Sequence, residues 1–178
     1  MYTDIVDLLF LRGKPIEQYR YPIWQLIILV IGLGVIEGLI DGWQDHNLAK
    51  ALLTSIPSEL AGTVISTLFF TWWIKRIRQW HLHQSLFPII VLSSTASSIP
   101  TTLAGFLMAG TWGAYTLPSL SPFSIGLALL LLLYSIAVFL EGLHRGTSAS
   151  RTYLAKGFIL LAVGLVVLFS AVIAVFNN

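Results

Sequence analysis

The sequence predicts an all-α fold, a polytopic transmembrane helical bundle of about five spans with a short N-terminal interfacial helix. Three observations carry that prediction. Of 178 residues, 56% are hydrophobic and only 10% are charged, against roughly 25% charged in a soluble domain. The apolar residues fall in uninterrupted runs long enough to cross a hydrocarbon core of about 30 Å. Nine of the ten basic residues lie in three short segments that share one side of a membrane if the spans number five.

The same composition excludes other classes. A net charge of +2 suggests nucleic acid only if the basic residues form one stripe, and here they are scattered. With no cysteine there is no disulfide, iron–sulfur cluster or thiol chemistry. Asp4 and Asp7 stand where a signal peptide carries its basic region, so the first span is expected to remain in the mature chain.

The whole chain, 1–178, reads as one transmembrane domain. Residues 1–21 form a cytoplasmic arm, in which Ile5, Leu8 and Leu9 oppose Asp4 and Asp7, an amphipathic pattern suited to a membrane surface. Gly13, Pro15 and Pro22 break the chain before the first span, about 22–41. Residues 45–56 are weakly amphipathic and read as a short interfacial helix ended by Pro57; the second span follows at about 57–74. Trp72, Trp73, Lys75 and Arg76 close it with the aromatic-then-basic order of a membrane boundary. The third span, about 87–108, contains Pro100 among seven serine and threonine side chains between Ser93 and Thr102, and is expected to kink or break there. The fourth, about 123–143, is the plainest, with an unbroken leucine run from Leu129 to Leu133, and the fifth covers about 153–176.

Basic residues favour the cytoplasmic side. Arg12, Lys14 and Arg20 precede span one, Lys75, Arg76 and Arg78 follow span two, and Arg145, Arg151 and Lys156 surround the turn after span four; Lys50 stands alone opposite. The expected N-terminus is cytoplasmic and the expected C-terminus periplasmic, in a bacterial inner membrane.

Three groups of residues are candidates for function. Glu37, Asp41, Asp45, His46 and Glu59 gather at the far end of spans one and two, where oxygen ligands and one imidazole suit a cation or proton site. The bland alternative is a set of solvated loop residues with Glu59 favoured by a helix N-terminus. Gly34, Gly38 and Gly42 repeat every four residues on one face, and Gly157, Gly164 and Ala171 repeat every seven; both patterns allow close helix packing. Ser97, Ser98, Pro100 and Thr101 are expected to form a hinge or the wall of a polar cavity, against the simpler reading of hydroxyls bonded to their own helix.

No Walker sequence, HExxH or GxSxG is present, and no enzyme activity or cofactor is expected. His81, His83 and His144 lie at span ends rather than inside spans, which argues against haem. Glu141, His144 and Arg145 read as a surface ion-pair cluster.

The stretch Leu8 to Pro22, LLFLRGKPIEQYRYP, leads directly into span one. With the five-span layout it resembles the opening of small bacterial inner-membrane relatives of the Yip family, although Lys14 separates the glycine from the proline. The resemblance implies a non-enzymatic membrane organiser and transfers no catalytic residue. The expected function is therefore a scaffold or accessory subunit that associates with other membrane proteins or with itself. The rival from another class is a transporter or channel subunit using Glu37, Glu59 and the span-three break, and a third, a cofactor-binding or enzymatic membrane subunit, lacks a motif. The expected surroundings are lipid and neighbouring subunits, with no nucleic acid.

Overall fold

A computed structural model describes residues 1–45, 47–76, 86–109, 111–112, 115–116 and 122–176. Among them are six α-helices, α1 (Tyr2–Leu9), α2 (Ile23–Asp45), α3 (Leu48–Lys75), α4 (Phe87–Ala109), α5 (Pro122–Thr147) and α6 (Arg151–Phe176), with a 3-10 turn at Ile16–Gln18. Two-residue strands, β1 (Thr111–Trp112) and β2 (Tyr115–Thr116), pair antiparallel between α4 and α5, with Thr111 opposite Thr116. Five helices, α2 to α6, are long and apolar enough to cross a membrane. The chain is thus an all-α, multi-pass membrane bundle whose outward faces carry residues such as Ile28, Leu68, Leu130 and Val167. Apolar side chains are what hydrocarbon accepts at no cost.

Successive helices run antiparallel. α2 and α3 form a hairpin in which the glycine face of α2 lies directly on the α3 backbone. A methyl group on Gly34 would sit 2.7 Å from Ile56 Cα, one on Gly38 3.0 Å from Leu52 Cα, and one on Gly42 2.7 Å from Leu48 Cα. Only hydrogen fits in those gaps, so the close approach depends on glycine. α4 packs against α5 as a second hairpin, with Ile89 against Gly146 and the Ser93 hydroxyl against Gly142. Leu26 and Val30 of α2 meet Val91 of α4, which joins the two hairpins.

The structure departs from the sequence reading in three places. α3 is one helix of 28 residues, about 42 Å at 1.5 Å per residue, and continues through Pro57 rather than starting there. Leu48, Leu52 and Ile56, the turns just before Pro57, are the ones held by the glycine face, and that packing outweighs the lost amide bond. Asn47 caps the start by accepting from the Lys50 amide at 3.1 Å. α4 is likewise continuous through Pro100, with Thr95, Ser97, Ser98 and Thr101 hydroxyls bonded to carbonyls one turn back.

The third departure is the arm. α1 forms, but its apolar side faces protein: Leu8 is fully buried in the core with Leu92, Ile89 and Leu143. Gly13 and Gly142 leave the space for it, since a methyl on either would come within 3.3 Å of the Leu8 side chain. The Tyr134 hydroxyl, well inside α5, donates to the Leu9 carbonyl, so the end of α1 dips between the spanning helices.

Candidate functional site

Midway along the spanning helices, a partly open cavity of about 250 Å³ lies where α3, α4, α5 and α6 come together. Ser97 and Thr101 are one turn apart on α4 and share a face, which α4 turns toward the cavity. α3 contributes Ser66 and Phe70, α5 contributes Ser135, Ile136 and Phe139, and α6 contributes Phe158 and Leu161. Counted along each helix from the end nearest the N-terminal arm, these positions lie roughly 8–21 Å deep at 1.5 Å per residue. That depth is near the middle of a hydrocarbon core of about 30 Å.

The cavity wall carries both aromatic rings and hydroxyls. Phe70 and Phe139 ring centres are 5.6 Å apart, and Phe139 and Phe158 are 6.0 Å apart. The Ser97 hydroxyl donates to the Ser94 carbonyl at 3.0 Å, Thr101 to Ser97 at 2.9 Å, and Ser135 to Leu132 at 2.8 Å. Of the four span-three residues singled out in the sequence, Ser97 and Thr101 line the cavity, whereas Ser98 bonds the Thr95 carbonyl and Pro100 is buried in helix packing. Ser66 and Ser135 escaped the sequence analysis. The signal for Ser135 is a serine two residues past the leucine run Leu129 to Leu133 of span four.

The acidic group is only partly assembled. Glu37 on α2 and Glu59 on α3 are near neighbours across the hairpin, and Asp41 lies one turn further along α2. His46 and the side chain of Asp45 lie outside the described residues. Among the described residues no group of three or more histidine, cysteine or acidic side chains can hold a metal ion. Glu59, Thr63 and Ser66 follow one another at spacings of four and three on one face of α3, with Thr63 buried, so a polar stripe leads from the carboxyl pair to the cavity.

The glycines divide between two fates. Gly34, Gly38 and Gly42 are consumed within the chain by α3, and Gly157 faces the Trp73 indole, where a methyl would stand 2.6 Å from Nε1. Gly164 has nothing within 4 Å of the position a methyl would take. The side chain of Ala171 lies outside the described residues.

At the arm end, two charged clasps fix the helix ends. Asp4 accepts from Lys14 at 2.7 Å and from the Tyr21 hydroxyl, Asp7 pairs with Lys14 at 3.2 Å, and the Tyr19 hydroxyl accepts from the Lys14 amide at 2.8 Å. Burial pushes the Asp4 carboxyl up, but the hydrogen bonds from Lys14 and Tyr21 together outweigh it and hold it below the usual value. Hydrogen bonds to Asp4 and Asp7 raise Lys14, while burial and then the Asp4 contact push Tyr21 to about 12. The second clasp corrects the reading of Glu141 as part of a surface cluster. Glu141 is buried, and it accepts from Arg145 at 2.7 Å on its own helix and from Arg151 Nε at 2.8 Å on α6. This ties α5 to α6 across their short turn, where His144 Nδ1 also lies 2.6 Å from the Ala149 carbonyl.

No protein-family description matches the chain, and neither curated proteins nor solved structures gave a match.

Proposed function

We propose that this chain binds a small molecule inside the bilayer, as a non-enzymatic subunit of the transporter or channel class. The observation that supports this reading is the convergence of Ser66, Ser97, Thr101 and Ser135 from three helices on one cavity at mid-membrane depth. Polar side chains inside a span mark solute pathways more often than lipid-facing surface. The stripe from Glu37 and Glu59 through Thr63 gives the cavity a polar approach from the opposite end of α3. In this reading the membrane is a bacterial inner membrane, with the N-terminus cytoplasmic and the C-terminus periplasmic, because basic residues cluster at the arm end.

The association reading, in line with the Yip resemblance, keeps one surface of its own. The far half of α6 exposes Val163, Val166, Val167 and Leu168 around the open Gly164. Native mass spectrometry of protein purified in mild detergent separates the two. A bound small molecule that is lost when Ser135→Leu fills the cavity supports binding. A stoichiometric protein subunit, lost on Gly164→Leu and indifferent to Ser135→Leu, overturns it in favour of a scaffold.

A further inference from the structure

Resting on the cavity reading above, we infer that the occupant is a small neutral molecule with a hydroxyl group on an apolar, ring-sized body. The wall of the cavity sets this chemistry. Ser97, Thr101 and Ser135 have each given their single proton to a helix carbonyl. What they offer an occupant is lone pairs, and they accept without breaking any bond already made. The Ser66 hydroxyl, also in the wall, makes no hydrogen bond among the described residues and is free to donate or accept. A hydroxyl occupant meets both demands, because it donates one bond and accepts another.

Charge narrows the class further. Among the described residues, no acidic or basic side chain lines the cavity. An ammonium or a carboxylate would therefore lie unpaired in a low-dielectric site, where an isolated ion is costly. The remaining wall, Phe70, Phe139 and Phe158 with their neighbours, suits a flat apolar body that packs edge or face against rings. The volume of about 250 Å³ admits such a body, since an apolar protein cavity of about 150 Å³ already takes benzene. The hydroxyl can reach the site on a free solute or on a lipid, and the chemistry at the wall is the same.

Phenol and anisole form a matched pair of probes, equal in ring but with the donor removed in anisole. Their binding to the full chain in nanodiscs is measured by titration calorimetry, with empty nanodiscs subtracting partition into lipid. Phenol is expected to bind about threefold to tenfold more tightly than anisole, the ratio that one net hydrogen bond supplies. Thr101→Val and Ser135→Ala, each checked for folding by thermal unfolding, should reduce that ratio toward one while leaving anisole unchanged. Tighter binding of 4-octylphenol than of phenol identifies a lipid-borne hydroxyl, and weaker binding identifies a free solute. Equal or tighter binding of anisole overturns the inference about the wall while leaving a binding cavity intact. Failure of both probes to saturate overturns the cavity reading itself.

Discussion

The Trp73 indole donates to the Tyr153 carbonyl at 3.1 Å, and the Tyr153 hydroxyl donates back to the Trp73 carbonyl at 2.7 Å. The two rings stack with centres 4.8 Å apart. Trp73 lies in the last turn of α3, where its carbonyl accepts from the Arg76 amide at 3.3 Å as well as from Tyr153. This reciprocal contact joins α3 to α6, and both helices line the cavity.

Breaking that join in two ways should give graded effects. Tyr153→Phe keeps the stacking and removes one hydrogen bond, at a cost of about 0.5–1.5 kcal/mol. Gly157→Leu drives a side chain into the indole and should cost more, about 1–3 kcal/mol from overpacking. Thermal unfolding in detergent measures both, and a Gly157→Leu protein as stable as the parent contradicts the observed packing.

The glycine face of α2 makes a prediction opposite to that of a partner-binding surface. Because Gly38 touches Leu52 of its own chain, Gly38→Leu should force the α2–α3 hairpin apart and lower the yield of folded monomer. Gly164→Leu, on the open face of α6, should leave stability unchanged within about 0.5 kcal/mol. A Gly38→Leu protein that folds normally but loses an oligomer would show that the face serves an intermolecular contact.

The arm should undock in acid. Asp4 is held below its ordinary value by Lys14 and Tyr21, so its contribution to docking is complete above the unfolded carboxylate range. It is lost as the pH falls through the folded value, below about 4. Since the chain has no cysteine, a nitroxide on Tyr2→Cys, an exposed position, reports the arm alone. Its spectrum should sharpen in that acid window, and in Asp4→Asn protein it should be sharp at every pH. A spectrum independent of both pH and the Asp4 substitution would show that the clasp does not hold the arm.

Orientation is open to a direct check. A reporter that matures only outside the cytoplasm should be active when fused after Asn178 and inactive when fused near Gln79. The reverse pattern would invert the proposed topology and place the arm outside.

The helices long and apolar enough to span were legible because hydropathy acts locally along each segment. Pro57 misled because a helix breaker is a local signal, whereas the glycine face that holds the turns before it lies on another helix. Leu8 misled for a similar reason: its socket is made by Gly142, far along the chain, so the arm read as surface when it packs inward. Ser97 and Thr101 stood out in a hydroxyl-rich run, but Ser66 and Ser135 lie in stretches whose overall pattern is that of an apolar span. Their meaning appears only when four helices bring them together. Glu37 and Glu59 could be placed at one depth from sequence, but that they are near neighbours across the hairpin depends on how α2 and α3 pack.

The central claim, a solute-accessible polar cavity in the membrane, is tested most directly by cysteine accessibility. Single cysteines at Ser66, Thr101 and Ser135 are compared with one at Leu130, which is exposed on the outer surface of α5. The reagent is a small polar methanethiosulfonate added to proteoliposomes. The account predicts reaction at all three cavity positions, slowed when Phe158→Trp narrows the space, and none at Leu130. Three unreactive cavity cysteines in folded protein, matching Leu130, would contradict it.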